Sequence, residues 1–553
     1  MKKLLSLLLV GILTFSILAG CSSPDAGNKN SEKTEDSATE NSSAEEKKQE
    51  EKVEEKEEQK EEKEDAENDK SDSGSDTIVF VEREIHSTYD PCIYPGSNHY
   101  VKNGAGELLF RIDVDGSIYP SLAKSGEQVD DHTWMIELRP EAKFWSGEEV
   151  TAEKVVGSLE RSREKNTKAT STLEGLTFNP VEEFKFEVKT DKANDPVLLR
   201  LAHYELCILN PDLAYDSLET MDMTGMYKIV EFTPKEKIVL VRNEDYYGKK
   251  PKIKNVVHEE ISDQETRSLS VLSGHADIAM QIPNESIPQL EAADNVKLYS
   301  IPAANTQTIY LNLNKPYLSD VKVRQALAWG LDREELILVG TEGKSFVTTN
   351  WLSSSPKYKD IRNAVYEKYD FDKASSLLDE AGYTLNSNNM REKDGEVLKI
   401  QLRTWGQDKA LGEAIQSQWS KLGIDCEVIY GDYSLIETAR ENNEWDASIE
   451  AWSTYGEEHS MLATQYMPEG TGNHGGYNSP EVISMLDELL TASNEEEVME
   501  IAKAISIKAA EDAPGIYICP RVETTAVNAK LKGFIEHFRN TENGINADME
   551  FTD

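Results

Sequence analysis

The chain has 553 residues and a formal net charge of −43 at pH 7, from 102 acidic and 59 basic side chains. That surplus argues against a body built to hold nucleic acid or an anionic lipid surface, because both demand clustered cations. A chain of this length outgrows a single hydrophobic core, so two or more lobes are expected.

The first twenty residues read as an export signal: Lys2 and Lys3 precede a largely apolar run from Leu4 to Ala19. The run is shorter than the roughly 20 residues that span a bilayer. It ends in Leu18-Ala19-Gly20-Cys21, which resembles the lipobox of bacterial lipoproteins. The resemblance implies diacylation of Cys21 and anchorage to the outer face of the cell membrane, without a spanning helix. Residues 22–76 hold 21 acidic and 9 basic side chains, no aromatic residue and only Val53 as a large aliphatic one. Such a composition cannot order a core, so residues 21–76 are expected to be a disordered acidic tether.

From residue 77 the chain alternates β-branched runs with amphipathic helical stretches, the pattern of a mixed α/β protein. "DTIVFVERE" and "TWMIELRP" read as strands. "TAEKVVGSLERSREK" reads as a helix capped by Thr151, with Val155, Val156 and Leu159 on its apolar stripe. "EFKFEVKT" alternates as a half-buried strand does. "DVKVRQALAWGLDREELILVG" predicts one helix over 321–340, with Val323, Leu327 and Leu331 on one face, and "DFDKASSLLDEAGY" another, closed by Gly382. "VLKIQLRTW" and "IDCEVIYGDY" flank the helix "ALGEAIQSQWSKLG", a strand, helix, strand unit suited to a parallel sheet. Cys92, Cys207, Cys426 and Cys519 are far apart and form no CxxC, so buried free thiols are expected. No GxSxG or HExxH is present, and "GTGNHG" at 470–475 has neither the leading strand nor the following helix of a dinucleotide loop. No enzyme, cofactor or resident metal is expected.

Six segments in order resemble the family 5 extracellular solute-binding proteins of ABC importers, the group of oligopeptide, dipeptide and nickel-chelate receptors. They are "IYPSLAKSGE", "LRPEAKFWSGEEVTAEKVVGSLER", "TGMYKIVEFTPKEKIVLVRNEDYYGKKPKIKNV", "LSVLSGHADIAM", "TIYLNLNKPYLSDVKVRQALAWGLDREELI" and "FDKASSLLDEAGY", spread between about 78 and 525. The resemblance implies a two-lobe α/β periplasmic-binding-protein fold of type II. The first lobe would cover 77–302, with an extra subdomain near 99–190, the second 303–519, and 520–553 would return to the first. The crossings "SIPAANTQ" and "YICPRVET" would form the hinge, with solute bound between the lobes. An ABC permease is the implied partner of a monomeric receptor.

The ligand expected first is an oligopeptide or dipeptide. A nickel or other metal chelate is the alternative, and a sensory lipoprotein of the same fold a further one. Peptide receptors of the family offer an aspartate in a segment like W-x-x-D-Y-x-x-P, where this chain reads "WSTYGEEH" over 452–459, with Glu457 or Glu458 as the substitute. Nickel receptors use two arginines, and of the matching segments "SREKNTKATS" has Lys168 as its nearest cation and "LAHYELCILN" has none. Their histidine falls in "YMPEGTGNHG", where His474 stands. The cleft candidates are Trp452 and Tyr455; His203, Tyr204 and Glu205; Trp405; Glu457; Asn473 with His474; and Arg521, which would neutralise an anionic group. His459 reads as a helix-end residue.

Overall fold

A computed structural model describes residues 76–93, 96–492 and 494–552. The export signal, Cys21 and the tether before Asp76 lie outside the described residues. Among the described residues, no helix is long and apolar enough to cross a membrane.

The β-branched runs build one ten-stranded mixed sheet. Its order is Asp425–Gly431, Lys399–Trp405, Ala447–Ser453, Val296–Leu311, Gly515–Asn528, Ile278–Ala279, Thr77–Glu82, Asn255–Glu260, Lys237–Arg242, Tyr227–Thr233. In the first half Thr77–Glu82 lies between the parallel strands Asn255–Glu260 and Ile278–Ala279. In the second, Lys399–Trp405 lies between parallel Asp425–Gly431 and Ala447–Ser453, and helix Lys409–Lys421 makes the predicted connection. Each half has its own core, one around Phe80, Leu240 and Val256, the other around Ile309, Leu402 and Trp419. The molecule is therefore two-lobed.

Two long antiparallel strands, Val296–Leu311 and Gly515–Asn528, run through both halves. Their register holds from Val296 opposite Asn528 to Pro302 opposite Val522, breaks, and resumes with Thr306 opposite Pro520. Pro302 and Pro520 carry no N–H, so the ladder gives way where it has fewest donors to lose.

A separate antiparallel sheet, ordered Ala123–Asp130, Thr133–Leu138, Lys185–Thr190, Leu176–Glu182, packs under helix Ala152–Lys165. Thr151 caps that helix, its hydroxyl accepting from the Lys154 amide at 3.4 Å. Val155 and Leu159 are buried and Val156 half-buried.

The single helix expected over 321–340 is two, Val321–Trp329 and Arg333–Thr341. The turn is specified by chemistry that hydrophobic periodicity does not register. Asp332 caps the second helix at the Glu335 amide, and buried Arg333 donates to the carbonyls of Ala328 (3.2 Å) and Tyr517 (2.7 Å). In "NEDYYGKK", Tyr246 and Tyr247 both donate to Glu107, at 2.9 and 2.8 Å. Burial pushes this carboxyl up to about 7 against those two hydrogen bonds. All four described cysteines are free and buried.

Candidate functional site

The second-lobe wall starts from the alternation of strand Ala447–Ser453. A two-residue period places Ser448, Glu450 and Trp452 on one face. Glu450, in an otherwise apolar strand, is buried and pairs with Arg440 of helix Tyr433–Glu441. Tyr433 Oη donates to its other oxygen at 3.0 Å and Ser448 Oγ to the first at 2.9 Å. A buried ion pair with these further hydrogen bonds is held in one geometry. His474 lies beside this pair, its ring centroid 6.0 Å from that of Trp452 and 5.7 Å, edge to face, from that of Tyr310. Burial, then the charge of Arg440, pushes its imidazole down to about 4, so the ring is neutral at pH 7. Its Nε2 is buried and has no hydrogen-bond partner. The Tyr310 hydroxyl is committed to Gln465 at 2.8 Å. Further along, Trp405 tilts against Tyr433 (5.0 Å), with the Arg521 guanidinium 5.6 Å from its ring.

On the first-lobe side His203 stacks on Tyr204 at 4.4 Å. Lys168 Nζ donates to the Tyr204 hydroxyl at 3.2 Å. Burial, then Arg539 and Lys168, pushes His203 down to about 3. Tyr455 reaches from the second lobe to this side. Its hydroxyl donates to the Gly116 carbonyl at 2.6 Å, its ring lies 5.2 Å from Phe538, and the Arg539 guanidinium sits 5.2 Å from the ring centre. Burial pushes the phenol up to about 12.

The sequence candidates thus fall into three groups: Trp452 with His474, Trp405 with Arg521, and His203 with Tyr204 near the Arg539 that covers Tyr455. Four of the candidates already hold partners within the protein. Glu457 is a helix cap, its carboxylate accepting from the His459 and Ser460 amides at 3.2 and 2.7 Å. Asn473 staples its own loop, donating to Met467 and Tyr477 carbonyls and accepting from the Tyr477 amide. Glu205 is fully shielded and accepts from Asn166 at 2.7 Å, bracing the cap of the short helix that carries Lys168. Arg521 is already neutralised by Asp408 at 2.7 Å. Glu458 is likewise engaged, accepting from Lys357 Nζ (2.7 Å) and the Tyr358 hydroxyl (2.8 Å). His459 stands in the first turn of helix Glu458–Tyr466, as expected.

Sequence reasoning missed Tyr310, Arg440, Glu450 and Arg539. Glu450 carried a usable signal, since a carboxylate inside "ASIEAWS" has to be paired or it would not be buried. Arg440 and Arg539 lie in polar stretches that read as solvated surface.

Two α/β lobes joined by two continuous strands, with aromatic and charged groups along the junction, define a solute-binding receptor. The family model described as bacterial extracellular solute-binding proteins, family 5, matches residues 117–473, and the chain belongs to that family. The nickel-binding protein NikA of Staphylococcus aureus is 26% identical over 441 residues, covering 78% of this chain and 87% of the relative. The oligopeptide-binding protein AppA of Bacillus subtilis is 25% identical over 465 residues, covering 79% and 84%. A solved structure described as a nickel ABC transporter from Bacillus halodurans superposes with a TM-score of 0.72 at 25% identity, covering 86% of this chain and all of that one.

Proposed function

We propose that this receptor binds a divalent metal, nickel foremost, as a chelate with a small carboxylate-bearing molecule, between its lobes. The observation that carries the reading is His474: a neutral, shielded imidazole whose Nε2 has no partner, set between Tyr310 and Trp452. Neutral imidazole is a preferred ligand for nickel. Among the described residues His474 belongs to no group of three metal-ligating side chains, and Glu450 is held by Arg440 and Tyr433. The metal must therefore bring its other ligands with it. Trp452 and Tyr310 offer faces for an organic chelator, while Arg539 and Lys168 supply positive charge for its carboxylates.

The peptide reading needs a free carboxylate for an α-amino group. Glu457 is engaged by two helix amides and Glu458 by Lys357 and Tyr358. The nickel-binding relative and the B. halodurans structure are in keeping with a chelate, and the AppA relative with a peptide. Closure would bend the two shared strands near their register break, and the closed receptor would hand its load to an ABC permease. The mature protein would be tethered at the membrane through lipid on Cys21; Cys21→Ala is expected to release it into the medium, and persistent anchorage would refute the lipid link.

The deciding experiment is calorimetry on stripped protein with nickel plus L-histidine, nickel alone, and a set of di- to pentapeptides. Heat from the first mixture, and none from metal-free peptides, is expected. Peptide binding without metal would overturn the reading.

A further inference from the structure

A second imidazole cluster lies buried in the first lobe, with His99 within electrostatic reach of Glu205. Glu82 ends strand Thr77–Glu82, and His258 stands on the adjacent parallel strand Asn255–Glu260. His99 and Lys102 lie three residues apart on helix Gly96–Lys102. All four side chains are buried. Lys102 Nζ occupies one Glu82 oxygen, Oε1, at 2.5 Å. The other, Oε2, faces two imidazole nitrogens, His258 Nε2 at 2.9 Å and His99 Nδ1 at 3.5 Å. The His99 contact is too long for a charge-assisted hydrogen bond, and that nitrogen has no other partner. Phe80 stacks on His258 at 4.5 Å and fixes its ring plane.

We propose that Glu82, His99 and His258 form a buried structural site for a divalent transition-metal ion of the zinc, cobalt or nickel type, independent of the solute in the cleft. Ligand atoms of a tetrahedral site with bonds of about 2.1 Å stand about 3.4 Å apart. The two separations of 2.9 and 3.5 Å bracket that spacing, and no pair of the three donor atoms lies more than 4.8 Å apart. Two nitrogens and one carboxylate oxygen suit these metals and disfavour calcium and magnesium. Binding needs the Nε2 lone pair of His258, which becomes available when the ring proton moves to Nδ1.

Lys102, on Glu82 Oε1, also lies within electrostatic reach of the buried carboxyls Glu523 and Glu536; burial pushes Glu536 up to about 8, so it holds its proton at pH 7. Arg521, the other cation near Glu523, is already matched by Asp408. The ion would tie two strands of the first-lobe sheet to the helix packed on them, and with these ligands buried it would enter during folding.

The test uses the mature chain unfolded in chelator, refolded with cobalt(II) in histidine-free buffer, and washed. One retained equivalent with the visible absorption of a tetrahedral centre is expected, unchanged in His474→Ala. In His258→Gln and His99→Gln metal content should fall at least about 10-fold. Wild-type protein that retains no cobalt overturns the site, as do variants that retain a full equivalent with the same spectrum. Should both variants fail to refold, X-ray absorption of the wild type decides: a coordination shell with two imidazoles supports the site, and one without imidazole refutes it.

Discussion

His474 and His258 are both shielded imidazoles, and their neighbours set them to different tasks. His474 stands among aromatic faces, within reach of the charge of Arg440, which is itself paired with Glu450. His258 has the Glu82 oxygen at 2.9 Å and a second imidazole beside it. The first offers one ligand atom and apolar walls, which suits an ion already wrapped in a chelator. The second offers a nearly complete inner shell, which suits a bare ion. On the two proposals made above, the same side chain would serve cargo or scaffold according to whether a carboxylate oxygen faces it.

The contrast breaks most directly at His474. Its replacement by Ala is expected to weaken nickel–histidine binding by about 100-fold or more while leaving the melting temperature nearly unchanged, measured by calorimetry alongside thermal unfolding. Equal affinity in the variant would remove His474 from the cleft chemistry. Trp452→Ala should cost about 30-fold in the same assay, the loss of a central aromatic anchor. Unaltered affinity there would mean that the wall lies elsewhere.

A subtler variant shifts the imidazole without touching it. Gly475 follows His474, and a Cβ added there would meet the Leu311 carbonyl oxygen at 2.0 Å, so the loop must move. Gly475→Ala is expected to weaken the chelate about tenfold, in step with a destabilisation of about 1–3 kcal/mol seen by urea unfolding. A separate effect, on stability alone, concerns a buried carboxyl held by two tyrosines. Glu107 is pushed up to about 7 from an ordinary value of 4.5, so between these limits the folded state holds the extra proton. Stability should fall as pH rises across that window, with a slope approaching about 1.4 kcal/mol per pH unit from this group alone. Glu107→Gln should flatten the profile, and an unchanged slope would show the carboxyl to be ionised throughout.

Most of the frame was legible because it rests on local pattern. Alternation marked the strands, Asp370 and Thr151 marked helix starts, and the parallel unit around helix Lys409–Lys421 followed from element order. The break at Gly330 to Asp332 was not, since the apolar stripe runs through it and the turn is specified by the Asp332 cap together with the carbonyl partners of Arg333, one of them distant in sequence. The site was half legible. Trp452 and His474 come together in the structure, while Glu457 and Asn473 hold backbone groups, which the sequence could not show because a polar side chain in a loop looks the same whether it faces solute or satisfies its own backbone. Arg440 and Arg539 were invisible because their importance comes from Glu450 and Tyr455, distant in sequence or on the other lobe.

The gap in register between the two shared strands is also an attachment point. The Ala304 amide, inside the gap, donates to the Phe538 carbonyl at 2.9 Å, and the Ala304 carbonyl accepts from the Thr454 amide at 2.9 Å. Phe538 and Tyr455, the residue after Thr454, are ring partners at the junction of the lobes. The two rings are therefore connected by backbone hydrogen bonds to a residue inside the register gap, a mechanical linkage only a few bonds long.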